Sequence, residues 1–162
     1  MKKRFKTSSR SDRLLRERNH DTYKSKRKLP EPTACPECDA VYHQGRWSWA
    51  AKPAGAHESL CPACRRVHDR YPAGYVTLTG KFTLDHHKEV LGLAHNVEAR
   101  EKAEHPLKRI MDVQNMDEEV LITTTDMHLA RSIGDALRHA YEGELEYQYT
   151  KEQNIIRVFW RR

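Results

Sequence analysis

CPECDAVYHQGRWSWAAKPAGAHESLCPAC, residues 35–64, holds all four cysteines of this 162-residue chain. They fall into two Cys-Pro-x-Cys turns, Cys35/Cys38 and Cys61/Cys64. Each turn directs two sulfurs at one point, and the proline stiffens the loop so that backbone N–H groups can face the thiolates. Two such knuckles complete a tetrahedral four-sulfur shell, which is the arrangement zinc prefers. The 22 residues between Cys38 and Cys61 slightly exceed the roughly 15–20 usual in a zinc ribbon, and AAKPAGAHES (50–59) absorbs the excess as a loop. AVYHQGRWSW (40–49) is expected as the first strand of the ribbon. A closed shell leaves no coordination position for water, so the metal is expected to be structural. Structural zinc contributes about 10–16 kcal/mol to folding, enough to hold a module with almost no apolar core.

Disulfides are disfavoured, because no export signal accompanies the cysteines and the pairs have metal-site spacing. A thioredoxin-like dithiol is disfavoured too, on the expectation that neither pair opens a helix after a strand in a βαβ unit. Iron in a rubredoxin-like shell is the other metal this ligand set admits.

Outward from the ribbon, charge is distributed unevenly. Residues 1–30 carry twelve Lys and Arg against Asp12, Glu17 and Asp21, a net of +9, whereas residues 31–162 carry seventeen basic and twenty acidic residues, a net of −3. A near-neutral body with a basic arm points to a polyanionic partner reached through the arm. Its candidate contacts are Lys2, Lys3, Arg4, Lys6, Arg10, Arg13, Arg16, Arg18, Lys24, Lys26, Arg27 and Lys28. Up to Leu29 only Phe5, Leu14, Leu15 and Tyr23 are large and apolar, too few to offset backbone ordering, so the arm is expected to be disordered. An Arg-rich start also suits a transit peptide, but only Leu14 and Leu15 offer it an apolar face. There is no apolar run of membrane-spanning length, and a cytoplasmic protein is expected.

Three segments result: the arm (1–30), the zinc ribbon (31–74), which LPEPTA (29–34) enters as an extended linker, and an α+β domain (75–162). RRVHDRYPAG (65–74) is expected to turn the chain out of the ribbon. YVTLTG (75–80) alternates as a strand, TLDHHKEVLGLAHNVEAREKA (83–103) places Val90, Leu91, Ala94 and Val97 on one helical face with Thr83 as cap, and PLKRIMDV (106–113) is expected as a short helical piece. EEVLITTT (118–125) is a strand. TDMHLARSIGDALRHAY (125–141) is the clearest amphipathic helix, with Met127, Ala130, Ile133, Leu137 and Tyr141 on one stripe. GELEYQYTKEQNIIRVFW (143–160) is a hairpin turning near residues 151–154. The order is βαβαββ, with helices covering one face of a sheet.

Arg46, Trp49, Arg65, Arg66 and Arg70 surround the ribbon, where Arg and Trp planes can stack on unpaired bases and Arg can meet phosphates. Trp47 and Trp49 share a face by alternation, and at least one is expected to be ribbon core. The ten histidines form no HExxH or other recognised motif. There is also no P-loop, GxGxxG or GxSxG, and no active site assembles.

With both knuckles, a Trp-containing first arm, RYPAGYVTLTGKF (70–82), a long helix, TTTDMHLARSIGDALRHAY (123–141) and the hairpin in that order, the chain resembles bacterial zinc-ribbon proteins akin to the N-terminal part of the large-ribosomal-subunit export adaptor of eukaryotes and archaea. The resemblance implies a non-catalytic protein docking on ribosomal RNA or ribosomal proteins of the large subunit, in assembly, quality control or dormancy. The eukaryotic members' second knuckle set, further domains and export signals have no counterpart in these residues, so nuclear export is not implied. Two other readings compete: a DNA-associated zinc-ribbon regulator, and a hydrolase built on His and acidic residues of the body.

Overall fold

A computed structural model describes Tyr23 and residues 27–162. The expected disorder of the arm, and most of the arm's basic residues, lie outside the described residues. The ribbon is a four-stranded sheet of very short strands: β1 (Thr33–Ala34), β2 (Val41–His43), β3 (Arg46–Ser48) and β4 (His57–Glu58), in the order β3-β2-β1-β4. Residues 40–49 are therefore a hairpin rather than a single strand. Its two-residue turn is Gln44-Gly45, with φ of 51° and 78°, and positive φ at both positions is what a type I′ hairpin turn requires.

Beyond the second knuckle the chain forms α1 (Pro62–Asp69) instead of turning out at once. Cys61 is the N-cap, its sulfur accepting from the Cys64 N–H at 3.4 Å, and Pro62 sits at the first helical position, where its missing N–H costs nothing and its fixed φ is already helical. Arg70, in the left-handed conformation at φ 51°, ends the helix.

The body runs β5 (Gly74–Thr79), α2 (Lys81–Asp85), α3 (His87–Glu104), β6 (Ile110–Asn115), β7 (Glu119–Thr124), α4 (Met127–Tyr141), β8 (Glu144–Thr150) and β9 (Ile155–Arg161). The order is thus βααββαββ, not βαβαββ. The extra strand is β6, which takes up the second half of the segment expected to be helical. It pairs antiparallel with β7 at the sheet edge through a bulge between Ile110 and Asp112. Only Ile110 and Val113 of β6 reach the core, so the segment answers to its hairpin partner more than to its own periodicity. The long predicted helix is split at His86 into α2 and α3. Thr83 lies inside α2 rather than capping it, and its hydroxyl donates to the Thr79 carbonyl at 3.0 Å.

The five-stranded sheet has the order β6-β7-β5-β9-β8, with β5 and β9 parallel and every other pairing antiparallel. Two split β-α-β units interleave in it: β5 and β6 straddle β7, and β7 and β8 straddle β5 and β9. Val76, Leu78, Val120, Ile122, Ile156, Val158 and Trp160 of the sheet are buried with Val90, Ala94 and Val97 of α3 and with Leu129, Ala130, Ile133 and Leu137 of α4. Tyr75, Thr77 and Phe159, on the alternate positions, stay partly exposed. Among the described residues no helix is long and apolar enough to cross a membrane.

Candidate metal centre

The four cysteines have no disulfide partner, and their sulfurs all lie within 4.8 Å of one another. The Cys38 and Cys61 sulfurs are 3.8 Å apart. A tetrahedral zinc with bonds of about 2.3 Å sets sulfur–sulfur edges of about 3.8 Å, so the shell has the dimensions for one such ion. Cys35, Cys61 and Cys64 are buried and Cys38 is partly so.

Local backbone geometry explains the convergence. In the first knuckle the Cys35 N–H donates to the Ala40 carbonyl at 2.8 Å and the Asp39 N–H to the Cys35 carbonyl at 3.0 Å, with Asp39 at a φ of 64° closing the loop. In the second, the helix start of α1 holds Cys61 and Cys64 one turn apart. The knuckles are tied together by the Cys61 N–H, which donates to the Cys35 sulfur at 3.3 Å. The second pair does open a helix behind β4, but β4 and the strand after α1 lie in different sheets, so no βαβ unit frames it as a redox dithiol. What argues for a metal instead is that the other two thiols complete the same cluster.

Burial pushes the Cys35 thiol up, but backbone N–H groups of Cys61, Cys38 and Glu37 outweigh it and bring it down to about 7. Burial raises Cys61 and Cys64, against hydrogen bonds and a nearby positive charge that favour their thiolates. Four thiolates cannot share so small a space without a cation. A bound dication reverses that balance and releases the protons.

One further group touches the shell, and sequence reading missed it. Arg109, beside the start of β6, donates from Nη1 to the Cys64 sulfur at 3.2 Å and from Nη2 to the Cys38 and Cys61 sulfurs at 3.1 and 3.4 Å. Its Nε is held by the Pro106 carbonyl at 2.8 Å, and its backbone N–H by the Thr125 hydroxyl at 2.9 Å. Burial works against the guanidinium charge, yet its sulfur partners raise its pKa above the ordinary arginine value. Leu107 packs on the cysteine cluster, and the Trp49 indole donates to the Lys102 carbonyl at the end of α3 at 2.6 Å. Ribbon and body are thus joined at the cysteine cluster. No spacing signalled Arg109; the only clue was electrostatic, since four thiolates around a dication carry a net −2 that something must offset.

The candidate nucleic-acid contacts divide into three groups. Lys2, Lys3, Arg4, Lys6, Arg10, Arg13, Arg16, Arg18, Lys24 and Lys26 lie outside the described residues. Arg27, Lys28, Arg46, Arg65 and Arg70 are exposed, and Arg27, Arg46 and Arg65 line one cavity between ribbon and body. Arg66 is a correction: it is only 3% exposed, stacks over Tyr23 at 4.4 Å and donates to the Tyr71 carbonyl at 3.0 Å. A side chain so enclosed holds the helix end and does not present its charge to a phosphate. Trp49 is 39% exposed with its N–H engaged, whereas Trp47 packs against the ribbon cluster, as expected for one of the pair. His86 falls at the break between α2 and α3, His87 meets the Asn115 amide oxygen at 2.7 Å, and His95 lies 3.4 Å from Glu98. All three side chains lie at least partly exposed.

Compared with known protein families, with curated proteins and with solved structures, the chain finds no match.

Proposed function

We propose that this is a non-catalytic zinc protein of the cytoplasm that binds structured RNA and associates with the large ribosomal subunit as an assembly, quality-control or dormancy factor. The observation that carries the reading is the placement of positive charge. The first thirty residues hold +9 against −3 in the remainder, and basic side chains continue from Arg27 onto the ribbon at Arg46 and Arg65, around one cavity. Such a distribution suits a phosphate backbone contacted by the arm and followed onto a rigid platform. The ribosome is put forward as the source of that RNA on the order of knuckles, long helix and hairpin in the sequence. Four sulfurs around one point, with Arg109 against three of them, leave the metal a structural task in this reading.

Gradient sedimentation of lysate tests it. Migration of the protein with large subunits at low salt, and its release at high salt, is the expected outcome. Absence from every ribosomal fraction at low salt would refute the reading.

A further inference from the structure

We infer that the seam between ribbon and body is a nucleotide pocket, which takes one unstacked base of a single-stranded RNA segment together with its phosphate; the inference rests on the RNA-binding reading above. A cavity of about 560 Å³ opens at this seam, within the roughly 300–1,000 Å³ of ligand-binding clefts. Its ribbon side carries Tyr42 and Trp47, cross-strand partners in β2 and β3 whose ring centroids are 5.6 Å apart. Leu60, Pro62 and Leu107 add apolar surface.

The charged lining is nearly all of one sign: Arg27 ahead of the ribbon, Arg46 and Arg65 from the ribbon and Lys108 from the body. Asp126 is the one acidic side chain among the lining residues, and its carboxylate already accepts from the Leu129 N–H at 2.9 Å as the cap of α4. Lys108 is occupied by Glu101 at 2.9 Å, and Arg65 donates to the Ser59 hydroxyl at 3.1 Å. Arg46 is exposed and its side chain has no hydrogen-bond or ion-pair partner among the described residues.

Two aromatic rings tilted at 57° to one another, an available guanidinium and no uncommitted carboxylate select a ligand with a ring to lay on one of those faces and a negative charge. An acidic peptide brings charge without a ring to stack, whereas a nucleotide brings both, and aromatic stacking with Arg–phosphate contact is how proteins hold unpaired bases. The pocket also depends on the metal shell. Leu60 and Pro62 flank the ligand Cys61, and Leu107 packs on the cysteine cluster, so the sulfur cage fixes part of the wall.

The test uses the full zinc-loaded chain and a labelled single-stranded RNA decamer carrying one 4-thiouridine. Photocrosslinks are expected on the peptide containing Tyr42 and Trp47. Arg46→Glu is expected to weaken decamer binding about tenfold and to lower the slope of log affinity against log salt by about one, with zinc content and unfolding midpoint unchanged. Crosslinks confined to residues 1–22, with Arg46→Glu binding like the parent, would overturn the pocket and leave the RNA reading standing. Failure of the decamer and of ribosomal RNA alike to bind would overturn both. AMP competing as well as the decamer would give the pocket to a free nucleotide and overturn its assignment to RNA.

Discussion

Arg109 places one guanidinium against three of the four sulfurs, so a single body residue both offsets the charge of the shell and ties it to β6. Groups that orient metal ligands from outside typically change affinity by about 10–100-fold when removed. Arg109→Ala should therefore weaken zinc binding at least about tenfold in competition with a chromophoric chelator. Arg109→Lys should recover only part of the loss, because an ammonium cannot fork between Cys64 on one side and Cys38 and Cys61 on the other. Equal affinity in all three proteins would show that the N–H···S contacts do not matter. At this scale the sequence was half legible. The ligands announce themselves by spacing, whereas Arg109 reaches sulfurs 45 and 71 positions away, a juxtaposition that only the folded body creates.

Among the elements, α4 was readable from its apolar stripe, which the structure buries at Met127, Ala130, Ile133 and Leu137 behind an Asp126 cap. α1 was obscured because its proline served equally well as a knuckle stiffener and as the opening residue of a helix. β6 was obscured because an edge strand buries so little. Two glycines test how far local propensity governs the helices. At Gly92 in α3 an added Cβ meets nothing within 4 Å, so Gly92→Ala should stabilise by about 0.5–1 kcal/mol through helix propensity alone. At Gly134 in α4 the same Cβ would lie 2.6 Å from Val158 Cγ1 and 3.1 Å from Leu145 Cδ1. Val158 is fully buried and cannot move aside, and overpacking of about 1–3 kcal/mol exceeds the propensity gain. Gly134→Ala should therefore destabilise, by about 1 kcal/mol in urea denaturation. Shifts of the same sign at the two sites would contradict this account of α4 packing.

Over the whole molecule the two sheets have cores of different size. Besides its cysteines the ribbon buries only Thr33, Ala34, Ala40, Val41, Ala63 and Arg66, a set with one branched apolar side chain, while the body has its own cluster from Ala73 to Trp160. Stripping the metal should unfold the ribbon and leave the body standing. Limited proteolysis of stripped protein should then cut within residues 31–70 and spare a fragment beginning near Ala73, and the α3 and α4 signals in far-UV circular dichroism should persist. Complete loss of helix on stripping would mean that the body relies on the shell through Arg109 more than its own core implies.

The claim on which the rest depends is that four thiolates hold one ion. Native mass spectrometry of the full chain, paired with thiol-reactivity counting, addresses it directly. The account predicts one zinc per chain, with all four cysteines protected until the metal is removed. A folded chain that carries no metal while its cysteines react freely would contradict it.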